Sequence, residues 1–211
     1  MIPSNWQTYL VTQSSLSAGR STREIVEQAI DGGIDVVQLR EKETAARHRY
    51  ELGLELRELT RAASVDLVVN DRVDIARAIG ADGVHLGQTD LPVAVARDLL
   101  GPDFVVGCST STVAEAKRAE AAGADYLGVG AVYGTSSKDV EEVKDGIGCD
   151  RVADIVDAVS VPVVGIGGIT TENAGAVVDA GAVGVAVISE ITASSDPAAA
   201  TERLRRAVTG Q

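Results

Sequence analysis

Cysteine, histidine, lysine and long apolar runs are all scarce in this chain of 211 residues. The two cysteines, Cys108 and Cys149, form neither a CxxC pair nor any metal-ligand spacing. A disulfide framework is thereby excluded, and a reducing compartment fits. The two histidines, His48 and His85, are too few and too far apart to suggest a zinc site. No apolar stretch approaches the ~20 residues that a membrane-spanning helix requires. The opening M-I-P-S-N-W-Q-T-Y-L has no basic segment followed by an apolar one, as a signal peptide would, so a cytoplasmic location is expected.

Positive charge is also in short supply. Lysine and arginine total 19 against 31 acids, a net charge of −12. Nucleic-acid binding rests on a basic face that neutralises phosphates, and this balance excludes it as a general property. Of the basic residues only four are lysines. Such a surface repels itself in dilute buffer, and at ~1 M salt the Debye length falls to about 3 Å, which screens that repulsion. A salt-adapted host is expected on this ground; an ordinary acidic cytosolic protein is the alternative.

What the chain does contain is alternation. Apolar residues make up 45% of it, enough for a substantial core. Short runs rich in Val and Ile occur at 9–12, 35–40, 66–71, 83–88, 104–109, 126–130, 162–168 and 184–189. Most are apolar at consecutive positions, the pattern of parallel strands covered on both faces. Helical stretches with legible ends lie between them. Ser21 with Glu24 and Thr112 with Glu115 fit capping boxes, and Asp196-Pro197 reads as an N-cap followed by proline. Stripes such as Leu52/Leu56/Leu59/Ala63 and Val152/Ile155/Val156/Val159 recur at helical spacing. No linker or low-complexity tract divides the chain. Eight strand–helix units predict an α/β fold, a (β/α)8 TIM barrel, over 1–211 as a single domain. An open doubly wound sheet is the rival.

In a barrel, chemistry belongs where strands end and βα loops begin. Gln38, Arg40 and Lys42 alternate at the end of the second strand, a place where burial favours Val or Ile, and two cations with an amide call for an anion. Asn70-Asp71 closes the third strand, and the fourth runs through Gln88 toward Asp90. Neighbouring strands would put both carboxylates on one side of the mouth, a set suited to Mg²⁺ and a phosphorylated ligand. Taken singly, each aspartate reads better as a helix cap, and it is their joint position beside a cationic strand that favours the metal. After the seventh strand, G-I-G-G-I at 165–169 leads into a helix expected from Thr170, and the eighth ends in Ile188-Ser189. Backbone N–H groups of such loops bind phosphate, with Gly167 and Gly168 the natural donors. The loop after the sixth strand, G-A-V-Y-G-T-S-S-K-D, offers Thr135, Ser137 and Lys138, either a phosphate clamp or a solvated loop. His85 reads as a satisfied core histidine.

Together these segments resemble the thiamine-phosphate synthase family. Q-L-R-E-K (38–42), N-D-R-V-D-I-A (70–76), A-D-G-V-H-L-G-Q-T-D (81–90), G-C-S-T (107–110), G-A-D-Y-L-G-V-G (123–130), T-S-S-K (135–138), I-G-G-I-T-T-E-N (166–173) and V-I-S-E-I (187–191) carry the likeness in order along most of the chain. The resemblance implies a Mg²⁺-assisted transferase barrel. It would join 4-amino-5-hydroxymethyl-2-methylpyrimidine diphosphate to 4-methyl-5-(2-phosphoethyl)thiazole and release pyrophosphate. It further implies that Gln38, Arg40, Lys42, Asn70 and Lys138 hold the pyrimidine diphosphate, that Asp71 and Asp90 bind Mg²⁺, and that Ser109 lies near the reacting centre. Thr135, Ser137, Gly168, Ile188 and Ser189 would hold the thiazole phosphate. Arg40, Lys42, Ser109 and Lys138 are the implied catalytic groups. The chain departs from the family pattern at Ala131, where proline is usual, at Ser137 for threonine, and at Ser111 for histidine. Two readings compete: a thiazole tautomerase of the same superfamily, which would use a histidine after the fifth strand, and a non-catalytic barrel binding a phosphorylated ligand. The expected partners are small-molecule substrates; a homo-oligomer is compatible with the same sequence.

Overall fold

A computed structural model describes residues 6–134 and 146–210. Its strands are β1 (Thr8–Val11), β2 (Val36–Leu39), β3 (Asp66–Asn70), β4 (Gly83–Leu86), β5 (Val105–Thr110), β6 (Tyr126–Gly130), β7 (Val163–Ile166) and β8 (Gly184–Val187). All pair in parallel in sequence order, and β8 pairs with β1, so the sheet closes into a barrel. Closure rules out the open doubly wound sheet. The helices alternating with them are α1 (Thr22–Asp31), α2 (Ala46–Ala63), α3 (Val73–Ile79), α4 (Val93–Leu100), α5 (Val113–Ala121), α6 (Gly148–Ala158), α7 (Ala174–Asp179), α8 (Ser189–Thr192) and α9 (Pro197–Thr209).

The capping signals act as the sequence predicts. Ser21 and Glu24 exchange bonds at the start of α1, and Thr112 and Glu115 do the same for α5. The Asp196 side chain accepts from the Ala199 amide, with Pro197 as the first residue of α9. One stripe needs correction. On α2 the buried residues are Gly53, Leu56 and Thr60, while Ala63 is exposed. The helix is formed to its end, but its burial stops at Thr60 and residues 61–63 are exposed.

Two apolar cores result. The larger lies between strands and helices, where Leu10, Val37, Leu67, Val84, Val106, Leu127 and Val185 point outward to meet the helices. The smaller fills the barrel interior with Trp6, Tyr9, Val11, Val36, Val68, Tyr126, Val164, Ala186 and Ile188. Alternation along each strand separates the two sets. Rings fill the interior because glycines on adjacent strands leave room. A Cβ at Gly107 would sit 2.2 Å from the Tyr126 ring, and one at Gly128 would sit 2.8 Å from His85 Cε1. Trp6 packs edge-on against Tyr126 with ring centroids 5.1 Å apart.

The amino-terminal rim shows a repeat spanning two βα units. Asp35, Asp82 and Asp125 each precede an even-numbered strand and reach back to the first amides of the odd strand beside it. Asp35 accepts from Thr8 N at 2.8 Å, Asp82 from Leu67 N at 2.8 Å, and Asp125 from Val106 N at 2.8 Å. An arginine from a helix joins each: Arg205 on α9, Arg57 on α2 and Arg97 on α4. The fourth quarter has Val183 in the corresponding place, and it is exposed.

Candidate active site

The predicted strand ends need adjusting before the site is built. β2 stops at Leu39, so strand alternation delivers only Gln38 to the interior. Arg40, Glu41 and Lys42 belong to the turn that follows. Glu41 is buried there; its Oε2 accepts from Ser14 N at 3.0 Å and its Oε1 from Thr22 Oγ1 at 2.9 Å. That anchor turns the cations on either side of it toward the rim, and they diverge. Arg40 leans toward the loop after β1, its amide on Thr12 Oγ1 at 3.0 Å and its Nη1 on Gln13 Oε1 at 3.1 Å. Lys42 leans toward β3, with Nζ 3.4 Å from Asp71 Oδ2.

Asp71 and Asp90 meet. Neither acts as a helix cap: α3 is preceded by Arg72 and α4 by Pro92, with no side-chain cap at either start. Asp71 takes the left-handed φ of 63°, an unusual conformation for a residue with a Cβ. Its amide donates to the His85 carbonyl on β4 at 2.9 Å. Asp90 is pinned by Gly87, whose amide donates to its Oδ2 at 2.6 Å. Burial, then side-chain contact with Asp90, raises the Asp71 carboxyl above the ordinary carboxylate range, while Lys42 pulls it down. Two close carboxylates that resist sharing negative charge are a donor set fitted to a hard divalent cation, which favours oxygen ligands. β4 ends at Leu86, short of Gln88, and that side chain turns to the Ser109 carbonyl at 2.6 Å.

Ser109 lies near the end of β5 and its Oγ is 2.8 Å from His85 Nε2. His85 Nδ1 is 2.9 Å from the Tyr126 hydroxyl, so both ring nitrogens have partners, as expected of a core histidine. Its bond to Ser109 was not foreseeable, since the two residues stand 24 positions apart in sequence. The Cys108 thiol beside Ser109 is pushed up to about 11, by burial first and then by Glu115 and Asp90. It stays protonated and is a poor nucleophile at neutral pH.

At the far side of the rim, β7 ends at Ile166, and Gly167 and Gly168 both have positive φ. They admit a close neighbour from the chain itself. A Cβ on Gly167 would lie 2.6 Å from Ala131 Cα, and one on Gly168 would lie 2.6 Å from the Gly134 carbonyl oxygen. The helix expected from Thr170 begins only at Ala174, because Asn173 folds the intervening residues into a turn, its Oδ1 accepting from Thr170 N at 2.8 Å. β8 ends at Val187, one residue before Ile188, and Ser189 is the first residue of α8. Glu190 ties this segment to the β7 loop, accepting from Thr171 Oγ1 at 2.7 Å. Thr135, Ser137 and Lys138 lie outside the described residues.

The structure therefore brings Gln38, Lys42, Asp71, Asp90 and Ser109 to one side of the rim and Gly168, Ile188 and Ser189 to the other. Thr12, Gln13 and Glu41 support Arg40 and Lys42 without having stood out in the sequence. Fold and rim together define a (β/α)8 barrel with Lys42, Asp71 and Asp90 brought together at the carboxyl end of the strands.

Comparison with known proteins makes that class specific. The thiamine monophosphate synthase family model matches residues 8–191, and the chain belongs to that family. The chain is 65% identical over 205 residues to the thiamine-phosphate synthase of Haloarcula marismortui, covering 97% of each. It is 50% identical to that of Moorella thermoacetica, covering 97% of this chain and 96% of the relative. Among solved structures, thiamine phosphate pyrophosphorylase from Pyrococcus furiosus superposes with a TM-score of 0.89 at 40% identity, over 97% of this chain and 96% of that one. 3-Hexulose-6-phosphate synthase, at 18% identity and a TM-score of 0.66, shares the fold.

Proposed function

We propose that this chain is a thiamine-phosphate synthase acting as one barrel domain. It condenses 4-amino-5-hydroxymethyl-2-methylpyrimidine diphosphate with 4-methyl-5-(2-phosphoethyl)thiazole to give thiamine phosphate and pyrophosphate. The observation that carries the reading is the Asp71–Asp90 carboxylate pair beside Lys42, one strand from Gln38 and Arg40. A thiazole-phosphate sensor needs only the β7–β8 side of the rim, and a tautomerase has less need for that pair. A tautomerase would further want a histidine after β5, where Ser111 stands, and His85 is occupied on both nitrogens.

Asp71 and Asp90 would hold Mg²⁺, which when bound supplies positive charge against the oxygens of the diphosphate. Gln38, Asn70, Arg40, Lys42 and, from outside the described residues, Lys138 orient the pyrimidine diphosphate. The bond from the exocyclic methylene carbon to the diphosphate oxygen breaks, and its electron pair leaves with pyrophosphate. The pyrimidine ring stabilises the resulting cation until the lone pair of the thiazole nitrogen forms the new C–N bond. No protein nucleophile is required. At an effective dielectric of ~20, one cation ~4 Å from a developing charge is worth about 4 kcal/mol before desolvation, so Arg40, Lys42 and Lys138 are the groups with leverage on the barrier. Gly168, Ile188, Ser189, Thr135 and Ser137 hold the thiazole phosphate. Among the described residues no helix is long and apolar enough to cross a membrane.

Incubation with both substrates and Mg²⁺ tests the proposal by following thiamine phosphate and pyrophosphate. Interconversion of thiazole isomers without coupling would identify a tautomerase, and absence of any turnover a binding protein. Lys138→Ala is expected to slow coupling far more than it lowers stability.

A further inference from the structure

The interior of the barrel carries a continuous hydrogen-bonded line that no step above uses. Gln38 Nε2 on β2 donates to Tyr9 Oη on β1 at 2.8 Å. Tyr9 Oη meets Tyr126 Oη on β6 at 3.0 Å. Tyr126 Oη meets His85 Nδ1 on β4 at 2.9 Å, and His85 Nε2 meets Ser109 Oγ on β5 at 2.8 Å. Its two ends are residues read above as facing the pyrimidine diphosphate. The middle members, Tyr9, Tyr126 and His85, are buried, and Gly107 and Gly128 clear space for two of their rings.

Each hydroxyl in such a line has one hydrogen to give, so the line has two self-consistent polarities. The Gln38 amide nitrogen facing Tyr9 selects one of them. Tyr9, already accepting from Gln38, donates to Tyr126; Tyr126 donates to Nδ1; the imidazole is then neutral with its proton on Nε2 and donates to Ser109 Oγ. The Ser109 hydrogen is left for the cavity. Reversing the amide reverses every bond, puts the proton on Nδ1, and makes Ser109 donate inward. Burial raises both tyrosine hydroxyls well above their ordinary range, so both keep the hydrogen that the line requires.

We propose that Tyr9, Tyr126 and His85 are positioning residues that fix this polarity, so that His85 is the Nε2–H tautomer and Ser109 meets the substrate as a hydrogen-bond donor. The functional half of this inference rests on the synthase reading; the tautomer does not. A diphosphate offers acceptors only, and a serine whose hydrogen is spent inward has none to offer it. The amide orientation at Gln38 that sets the line at one end thus also fixes, before any substrate arrives, the donor that Ser109 presents at the other, through side chains locked by packing.

The ¹⁵N spectrum of the imidazoles in the whole, substrate-free chain tests the polarity, with His48→Gln assigning the signals because His48 is exposed on α2. The expected result is a protonated Nε2 and a bare Nδ1 for His85, with the two tautomers mixing in Tyr126→Phe and in Tyr9→Phe. In the coupling assay both variants are expected to lose about tenfold in kcat, with KM for the thiazole phosphate changed by less than about twofold. An Nδ1–H tautomer in the parent overturns the proposal. So does an unmixed Nε2–H tautomer with full kcat in the variants. Should Tyr126→Phe fail to fold, the parent spectrum and Tyr9→Phe decide. A parent that shows the Nε2–H signature but makes no thiamine phosphate supports the polarity and removes the substrate assignment instead.

Discussion

The two rims of the barrel use carboxylates in opposite ways. At the amino-terminal rim Asp35, Asp82 and Asp125 each accept from a strand amide and face an arginine. Their charge is consumed within the fold. At the carboxyl rim Asp71 and Asp90 face one another, and the fold holds Asp71 in a left-handed conformation to bring it there. Carboxylates satisfied by the chain stabilise it; carboxylates set against each other await something the chain does not supply. An arrangement that costs stability at one end is sustained by the well-paired end.

Four measurements would sharpen or break that contrast. The largest effect is expected at the carboxyl rim. Asp71→Asn or Asp90→Asn should lower the coupling rate in Mg²⁺ by about 100-fold, or ~2.7 kcal/mol of barrier, while leaving thermal stability unchanged or slightly higher because like charges no longer meet. A drop in stability comparable to the loss in rate would place these residues with the structural acids. Next comes Arg97→Ala at the opposite rim. Arg97 bonds Asp125 and the carbonyls of Gly101, Phe104 and Gly123, so about 2 kcal/mol of stability should disappear with kcat preserved in the folded fraction. Denaturant titration alongside the coupling assay separates the two quantities. Third, the melting temperature should rise between dilute buffer and molar salt, given the net charge of −12. A melt insensitive to salt would remove the expectation of a salt-adapted host. Smallest is Arg205→Ala, whose partly exposed contact with Asp35 is 3.4 Å long and should be worth about 0.5 kcal/mol.

Legibility in the sequence followed the same division. The barrel could be read because parallel strands covered on both faces must be apolar almost throughout, and the helix starts could be read because caps are local. Strand ends were less legible. Arg40 and Lys42 alternate with Gln38 as a strand would, yet the strand stops at Leu39, and the buried Glu41 between them decides where they point. Asp71 and Asp90 read singly as caps and jointly as carboxylates on neighbouring strands; the pairing of β3 with β4 puts their side chains in contact. His85 was rightly placed in the core, but its bond to Ser109 depends on two strands being neighbours.

By itself, the sequence determined the kind and order of the elements, the negative net charge of the chain, and which polar residue types stand near the strand ends, because each depends on composition or on neighbours within a few residues. Which carboxylates are neutralised and which are left opposed, and which way the interior hydroxyls donate, was decided by closure of the barrel. Those are electrostatic and hydrogen-bonding relations between groups 15 to 170 positions apart in the chain, and they exist only after the strands have been brought edge to edge.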